Sequence, residues 1–269
     1  MRSIALGFHE VIGERDRALM MRHRRNVYTL QLTRFREVLE AVGRRALPGL
    51  VWGARSLVTA AERVYLTFDD GADNAYTHVA DELERCGWRG HFFVVAGWIG
   101  RRGSLNERQI RALHRRGHVI GSHSLTHPER MSALSWTDLI REWSHSCTEL
   151  GAVIGEPIRV ASIPGGYYHD DVASAAAACG LEVLFTSEPT AAVWRIDGCF
   201  VLGRYAVRRF TQPATVAAIA AAARVPRLLQ SAAWFGSKAI KAIAGEHYYN
   251  LRRNILNHLL GSGRRATHS

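Results

Sequence analysis

Residues 64–74 read VYLTFDDGADN. A short apolar run, Val64 to Phe68, ends on two adjacent aspartates and a glycine. The run has the length of a buried strand. Two carboxylates side by side at its end repel each other unless a cation sits close by. Whether Asp69 and Asp70 are a helix cap and turn or a chemical site is the question that the rest of the chain answers.

Outward from this stretch one theme recurs: polar cap, amphipathic helix, glycine, apolar strand. Asn74 is placed to cap a helix carrying Tyr76, Val79, Ala80 and Leu83, ended near Gly87 and followed by the strand GHFFVVAG. Ser104 and Glu107 have capping-box spacing before a helix with Ile110 and Leu113. It ends near Gly117, and HVIG follows. Ser135 and Asp138 open a helix with Trp136, Leu139, Ile140, Trp143, Cys147 and Leu150 at spacings of three and four, ending near Gly151. A strand around Ile158 to Ile163 comes next, then an alanine-rich helix from Asp170 to near Gly180, then LEVLF. Such alternation predicts an α/β fold with a parallel sheet, open or closed into a barrel. In that class, sites gather where strands end at their C-terminal edge, which is where Asp69 and Asp70 stand.

Composition sets the outer bounds. The chain has 269 residues, 47% of them apolar, enough for a sizeable core. No apolar run reaches the length of a membrane span, and the stretch MRSIALGFHEVIGERD lacks the pattern of a signal peptide. The expected location is cytoplasmic, with peripheral contact at the inner membrane face as an option. Cys86, Cys147, Cys179 and Cys199 form no CxxC pair, which argues against a cysteine zinc site. A formal charge of +11 favours an anionic partner. Residues 1–224 read as the barrel domain and 225–269 as a basic helical extension. From Val225 onward seven Lys and Arg oppose one Glu. Leu228, Ala232, Phe235, Ile240 and Ile243, then Leu251, Ile255 and Leu259, recur at helical spacing among Lys238, Lys241, Arg252 and Arg253. The extension is read either as a helix packed on the barrel or as an interfacial helix on an anionic membrane surface.

A second feature meets the first. His123 and His127, in GSHSLTHP, are four apart and share a face if the segment makes one helical turn. They too follow a buried strand, so they should reach the rim that carries Asp69 and Asp70. Two histidines and a carboxylate are a standard set for a catalytic divalent metal with open positions. Such an ion offsets the carboxylate repulsion and lowers the pKa of a coordinated water, for which a second carboxylate is a suitable general base.

TFDDG at Thr67 to Gly71, HSLTH at His123 to His127, and the PGG of SIPGGYY at Pro164 to Gly166 resemble the first three motifs of the polysaccharide deacetylases, the NodB-homology domains. The resemblance covers roughly residues 1 to 210. It implies a distorted (β/α) barrel of about seven parallel strands, followed here by the C-terminal helical extension. It also implies removal of acetyl groups from N-acetylated sugars with zinc or another divalent ion (Ni2+, Co2+ or Fe2+). By resemblance Asp69 is the base, and Asp70, His123 and His127 are the metal ligands. Pro164, Gly165, Gly166 and Tyr167 line the sugar groove, with a backbone N–H of that loop available to the oxyanion.

Two departures stand out. Many members carry an arginine two residues before the motif-three proline, where this chain has Ser162; Arg159 is a nearby substitute. Many also carry a late Leu-x-His that supplies the general acid. After Pro164 the histidines are His169, His247, His258 and His268, none with that strand context. IALGFHEV, Ile4 to Val11, offers His9 instead, at the end of an apolar strand. Some exopolysaccharide deacetylases of this family look circularly permuted, with the last strand and its histidine moved to the N-terminus. His9 is therefore the expected general acid. His91, at a strand start, is read as structural. Ser187, Glu188 and Trp98 are candidates to line the groove.

The expected activity is thus metal-dependent N-deacetylation of an N-acetylated carbohydrate substrate in exopolysaccharide or cell-envelope metabolism. The alternatives are a deformylase or deacetylase of a lipid-linked sugar, a non-catalytic carbohydrate-binding or membrane-docking protein, and an iron-dependent oxygenase, which the helix–strand alternation opposes. No motif supports nucleic-acid binding.

Overall fold

The computed structural model describes residues 2–14, 26–59 and 64–238. The chain divides into two compact units, Met1–Arg227 and Leu228–Ser269. Of the second, residues 228–238 are described, and they are helical. There Leu228, Leu229 and Phe235 are exposed, and the Lys238 ammonium lies over the Trp234 ring. The expected positions Ile240, Ile243, Leu251, Ile255 and Leu259 lie outside the described residues, as do Lys241, Arg252, Arg253, His247, His258 and His268. Among the described residues no helix is long and apolar enough to cross a membrane.

The first unit alternates strands and helices. In chain order these are β1 (Ile4–Phe8), α1 (Leu32–Gly43), α2 (Ala54–Thr59), β2 (Val64–Phe68), α3 (Ala80–Arg85), β3 (His91–Val94), α4 (Glu107–Arg115) and β4 (Val119–Ser122). Then come α5 (Trp136–Ile154), β5 (Val160–Ser162), α6 (Asp170–Ala178), β6 (Val183–Phe185), β7 (Val193–Ile196), β8 (Cys199–Leu202), β9 (Tyr205–Ala206) and α7 (Pro213–Ala220). The sheet order is β7-β8-β6-β5-β4-β3-β2-β1-β9. Every pairing is parallel except the hairpin β7–β8.

The barrel closes through one broken strand. β8 pairs with β6 on one side of the sheet, and β9 pairs with β1 on the other. Only Gly203 and Arg204 separate β8 from β9. Counting β8 and β9 as one, β1 to β6 plus this segment give seven parallel strands, the number that the family resemblance implies, with the two-residue strand Pro48–Gly49 paired alongside the start of β2. At the break the backbone passes close to its neighbours: a Cβ on Gly203 would run into the Glu188 carbonyl and lie 2.6 Å from the Thr190 carbonyl. A side chain does not fit, so the break needs glycine.

Strand periodicity sorts the core into two layers. Leu6, Phe8, Leu66, Phe68 and Phe92 face the helices and join Phe35, Leu83, Leu139 and Trp143. Ala5, Tyr65, Phe93, Val119, Val160, Val183, Phe185 and Leu202 face inward. Tyr65, His91, Phe93 and Phe185 contact one another edge-on, tilted or, for His91 and Phe93, stacked, and plug the lumen. Both faces of each strand are covered, which is why these strands read as unbroken apolar runs.

Local details correct three expectations and add a cap to a fourth helix. Asn74 does not cap a helix: its backbone is already helical, residues 75–79 form a π turn, and its side chain donates to Glu10 Oε1 at 3.2 Å. The capping box of α4 belongs to Asn106 and Gln109 rather than Ser104 and Glu107, because Asn106 has the extended backbone of a cap and both reciprocal bonds form. α5 runs past Gly151 to Ile154 and stops at Gly155, whose left-handed backbone (φ 81°) ends a helix without Cβ strain. The cap of α6 is His169, whose ring accepts from the Asp171 N–H, with Asp170 inside the first turn. Ser135 caps α5 as expected.

His91 lies inside the lumen, away from the β2 carboxylates, held between the Val51 N–H (3.0 Å) and the Leu66 carbonyl (3.1 Å). His118 is buried beside Glu84, with Nε2 to Oε1 at 2.9 Å. Burial pushes both imidazoles down to about 4. Between the ordinary 6.5 and this value the unfolded chain binds protons that the folded chain refuses, so acidification destabilises the fold. The unfolding free energy is expected to fall across that window by up to roughly 1.4 kcal/mol per pH unit for each imidazole. Urea denaturation of His91→Gln should show a flatter pH slope than the wild type; an identical slope would refute the assignment.

Candidate active site

The C-terminal ends of β1, β2, β4, β5 and the β8–β9 segment converge on one rim. Continuing the alternation of β2, Asp69 follows Tyr65 and Thr67 in the inward set and is buried. Its Oδ1 accepts from Arg204 Nη1 at 2.6 Å and from Ser162 Oγ at 3.1 Å. Its Oδ2 lies 4.0 Å from His123 Nε2. Burial by itself would raise this carboxyl; the Arg204 guanidinium, followed by the imidazoles of His123 and His9, holds it below the ordinary carboxylate range.

Asp70 breaks the strand alternation. Its backbone is left-handed (φ 72°), a conformation that aspartate tolerates better than most residues, and Gly71 follows at φ 70°. This turn brings Asp70 Oδ1 to 3.4 Å from both His123 Nε2 and His127 Nε2. The two histidines do not share a helical turn. Residues 123–127 form a loop with Ser124 at φ 67° and His127 at φ 60°, and the loop, not a helix face, makes the rings converge at 5.1 Å between centroids.

That loop is tied down by groups the motif does not contain. Glu142, buried on the inner face of α5, accepts from the Leu125 N–H (3.0 Å), the Thr126 N–H (2.9 Å) and the Thr126 hydroxyl (2.7 Å). Ser124 Oγ accepts from the His127 N–H at 3.0 Å, and Trp98 stacks on the His127 ring at 5.2 Å. His123 Nδ1 meets the Ser162 carbonyl at 3.0 Å. A carbonyl can only accept, so Nδ1 carries the proton and Nε2 keeps a lone pair for the site.

Three observations fit this trio to a divalent cation. One ligand atom from each of Asp70, His123 and His127 lies within 4.8 Å of the others. Asp70 Oδ1 is buried with no hydrogen-bond donor among the described residues. The two 3.4 Å separations match the edge of a tetrahedron around an ion with bonds of about 2.1 Å, which is about 3.4 Å. Burial disfavours the charged form of each group, yet contact with the imidazoles keeps the Asp70 carboxyl well below its usual range, and Asp70 raises His127 above its ordinary value.

His9 follows β1 at this rim. Its Nδ1 is buried without a hydrogen-bond partner among the described residues, and its ring packs on Tyr28 at 4.6 Å. Burial lowers its pKa, against the pull of Asp69 and Asp70. In the loop after β5, Pro164 is buried, and Gly165 and Gly166 are left-handed at φ 69° and 73°. A Cβ on Gly165 would enter the Glu129 carbonyl, and one on Gly166 would lie 2.9 Å from Ser187 Cβ. Tyr167 stands against the Arg130 guanidinium at 4.6 Å.

Arg204 is the residue that motif reading misses. Arg159, the expected substitute for the absent arginine, precedes β5, pairs with Glu182 at the opposite end of the strands and cannot reach Asp69. Arg204 does so from the barrel break. It is 3% exposed, its Nε donates to the Thr186 carbonyl at 2.8 Å, and its guanidinium stands 5.9 Å above the Phe93 ring. A charged residue directly after the apolar run CFVLG was the available signal, the same signal that singled out His9 after IALGF.

A family model described as polysaccharide deacetylase matches residues 57–184, spanning β2, the histidine loop and the Pro164 loop. Over residues 57–184 the chain is thus a polysaccharide deacetylase domain. Its relatives include a putative polysaccharide deacetylase, YxkH, from Bacillus subtilis, 28% identical over 54% of this chain and 51% of that one. A chitooligosaccharide deacetylase from Sinorhizobium fredii is 32% identical over 48% of this chain and 59% of that one. The chain thus spans about half the length of the curated relatives it matches. Among solved structures, a Streptococcus pyogenes deacetylase, PplD, in complex with acetate superposes with a TM-score of 0.66 at 19% identity, over 79% of this chain and 95% of that one. At that identity the likeness speaks for the fold, a curled, mostly parallel sheet with outer helices.

The Arg204–Asp69 pair is measurable through stability. Arg204→Met leaves a buried carboxylate without its cation and is expected to cost about 3–5 kcal/mol. Asp69→Asn in the same chain should recover more than half of that loss. Denaturant titration of the two single variants and the double variant checks both statements; additive losses would show that the two groups are not coupled.

Proposed function

We propose that this chain hydrolyses the N-acetyl group of an N-acetylated carbohydrate, with a divalent metal held by Asp70, His123 and His127. The orientation of Asp69 carries this reading. Arg204 and Ser162 occupy Oδ1, which leaves Oδ2 directed toward His123 and the three-ligand set. A carboxylate held in one orientation beside a cation site is what a general base for water requires. A metal that only fixes structure would need no second carboxylate there.

When bound, the metal, zinc being the first expectation, supplies Lewis-acid polarisation of the acetyl carbonyl and lowers the pKa of water. The side chains do the rest. Asp69 Oδ2 takes the proton of the attacking water. A backbone N–H of the loop from Pro164 to Tyr167 faces the developing oxyanion. His9 returns a proton to the departing amine. Its buried Nδ1, with no hydrogen-bond partner among the described residues, is consistent with a group whose partner is the substrate. Trp98 and Tyr167 supply aromatic surface for a sugar ring.

The placement of β1 between β2 and β9 supports the exopolysaccharide-type, permuted arrangement, because His9 then leaves a strand next to the barrel's last one. Arg204 beside Asp69 supplies a guanidinium where the motif-three arginine is absent, which supports the catalytic reading over a non-catalytic scaffold.

Asp69→Asn should retain metal and lose turnover by roughly 10²–10⁴. Asp70→Ala and His127→Ala should lose metal and activity together. Metal content by mass spectrometry and acetate release from N-acetylglucosamine oligomers are the readouts, with lipid-linked N-acetylated and N-formylated sugars run in parallel. Wild-type metal content and rate in all three variants would reject the site. Release of formate alone would shift the reading to a deformylase.

A further inference from the structure

The end of the barrel opposite the candidate active site holds a second concavity. It has a volume of about 310 Å³ and is walled by residues at the start of β1 and β2, after α1 and at the end of α7. Ile4 and Val64 open their strands at this end, whereas Phe8 and Phe68 lead into His9 and Asp69 at the other. Five residues of strand put roughly 13 Å between the two ends. The cavity is therefore separate from the deacetylase site.

Its lining is one-signed. Arg2, Arg45, Arg224 and Arg227 reach it, and no Asp or Glu is among its described lining residues. Arg34, Arg36, Arg44, Arg85, Arg111, Arg116, Arg141 and Arg159 each pair with a carboxylate. Arg44 finds Glu40 at 2.6 Å, while its neighbour Arg45 turns to the cavity and pairs with no carboxylate among the described residues. Arg2 and Arg224 likewise have no carboxylate partner among the described residues. Arg227 is held in place: Nε donates to the Ala223 carbonyl at 3.1 Å and Nη2 to the Ala222 carbonyl at 3.0 Å. The remaining wall is apolar, from Ile4, Leu47, Val64, Ala191 and Ala220. Leu47 is 79% exposed, a large apolar side chain left in water at the mouth.

We propose that this cavity binds a phosphate or diphosphate group attached to an apolar portion. Clustered guanidinium groups repel one another, and an anion relieves that repulsion. The planar fork of arginine matches phosphate oxygens in pairs, and the pinned Arg227 loses little freedom on binding. The apolar wall gives the non-polar part of the ligand a place out of water. The volume suits a small ligand or one headgroup rather than a polymer. Two sources share this chemistry: a soluble organic phosphate and the headgroup of an anionic phospholipid.

The test uses the full chain and a charge-matched control. Inorganic pyrophosphate is titrated calorimetrically, and vesicles of phosphatidylglycerol in phosphatidylcholine are tested by co-sedimentation. Arg45→Glu/Arg224→Glu is compared with Arg101→Glu/Arg102→Glu, which changes the net charge equally at a different exposed site. The expected result is binding that falls at least tenfold in the Arg45/Arg224 variant and less than twofold in the control. Binding of pyrophosphate without vesicles identifies a soluble ligand, and binding of vesicles without pyrophosphate identifies a headgroup; either supports the proposal. Equal losses in both variants would reduce the effect to the overall charge of +11 and overturn it, as would failure of wild type to bind either probe. Circular dichroism of both variants confirms that they are folded, and none of the four arginines belongs to the deacetylase site.

Discussion

A buried ion pair governs this molecule. Asp69 and Arg204 are each about 4% exposed in their side chains and 2.6 Å apart, at the top of a lumen filled by Tyr65, His91, Phe93 and Phe185. Neither charge is tolerable there alone, because desolvation of an unpaired ion costs several kcal/mol. The pair therefore requires the end of β2 to face the β8–β9 segment at this level, and that segment joins the two edges of the sheet through β6 and β1. Closure of the barrel and orientation of the proposed base thus involve the same short segment.

From this anchor the rest of the rim can be ordered. Ser162, next to Asp69, also holds His123 through its carbonyl, so one residue fixes the base and sets the tautomer of a proposed ligand. His127 is presented from a loop with two left-handed residues, and Glu142 from α5 satisfies that loop's donors. Strain in the loop is thus opposed by buried, charge-assisted hydrogen bonds from a rigid helix. Preorganisation of this kind keeps the ligand atoms a fixed distance apart before any ion arrives.

The two ends of the barrel divide the electrostatics. At the C-terminal rim, carboxylates and imidazoles are balanced by a single buried guanidinium. At the N-terminal end, guanidinium groups collect with no carboxylate among the described lining residues. The formal charge of +11 is therefore unevenly spread between the two ends.

Much was readable in the chain itself. Helix and strand alternation, a parallel sheet, and the C-terminal edge as the site of Asp69, Asp70, His123 and His127 follow from local periodicity and short-range spacing, which act over a few residues; closure into a barrel of about seven strands came only from the resemblance of the motifs to a family. The helix caps at Asn106 and Gly155 were displaced from the expected positions by two and four residues, since several polar or glycine residues compete at each end and packing selects one. The left-handed Asp70 and His127 were invisible because a residue's backbone state there is imposed by what it must reach. The break at Gly203 and the arrival of Arg204 beside Asp69 join positions 135 apart. Local sequence fixed which residues are strand ends, because burial and hydrogen bonding within an element are local. Only the closed barrel decided which strand end faces which, because that choice is settled by packing and by the cost of leaving a buried charge unpaired.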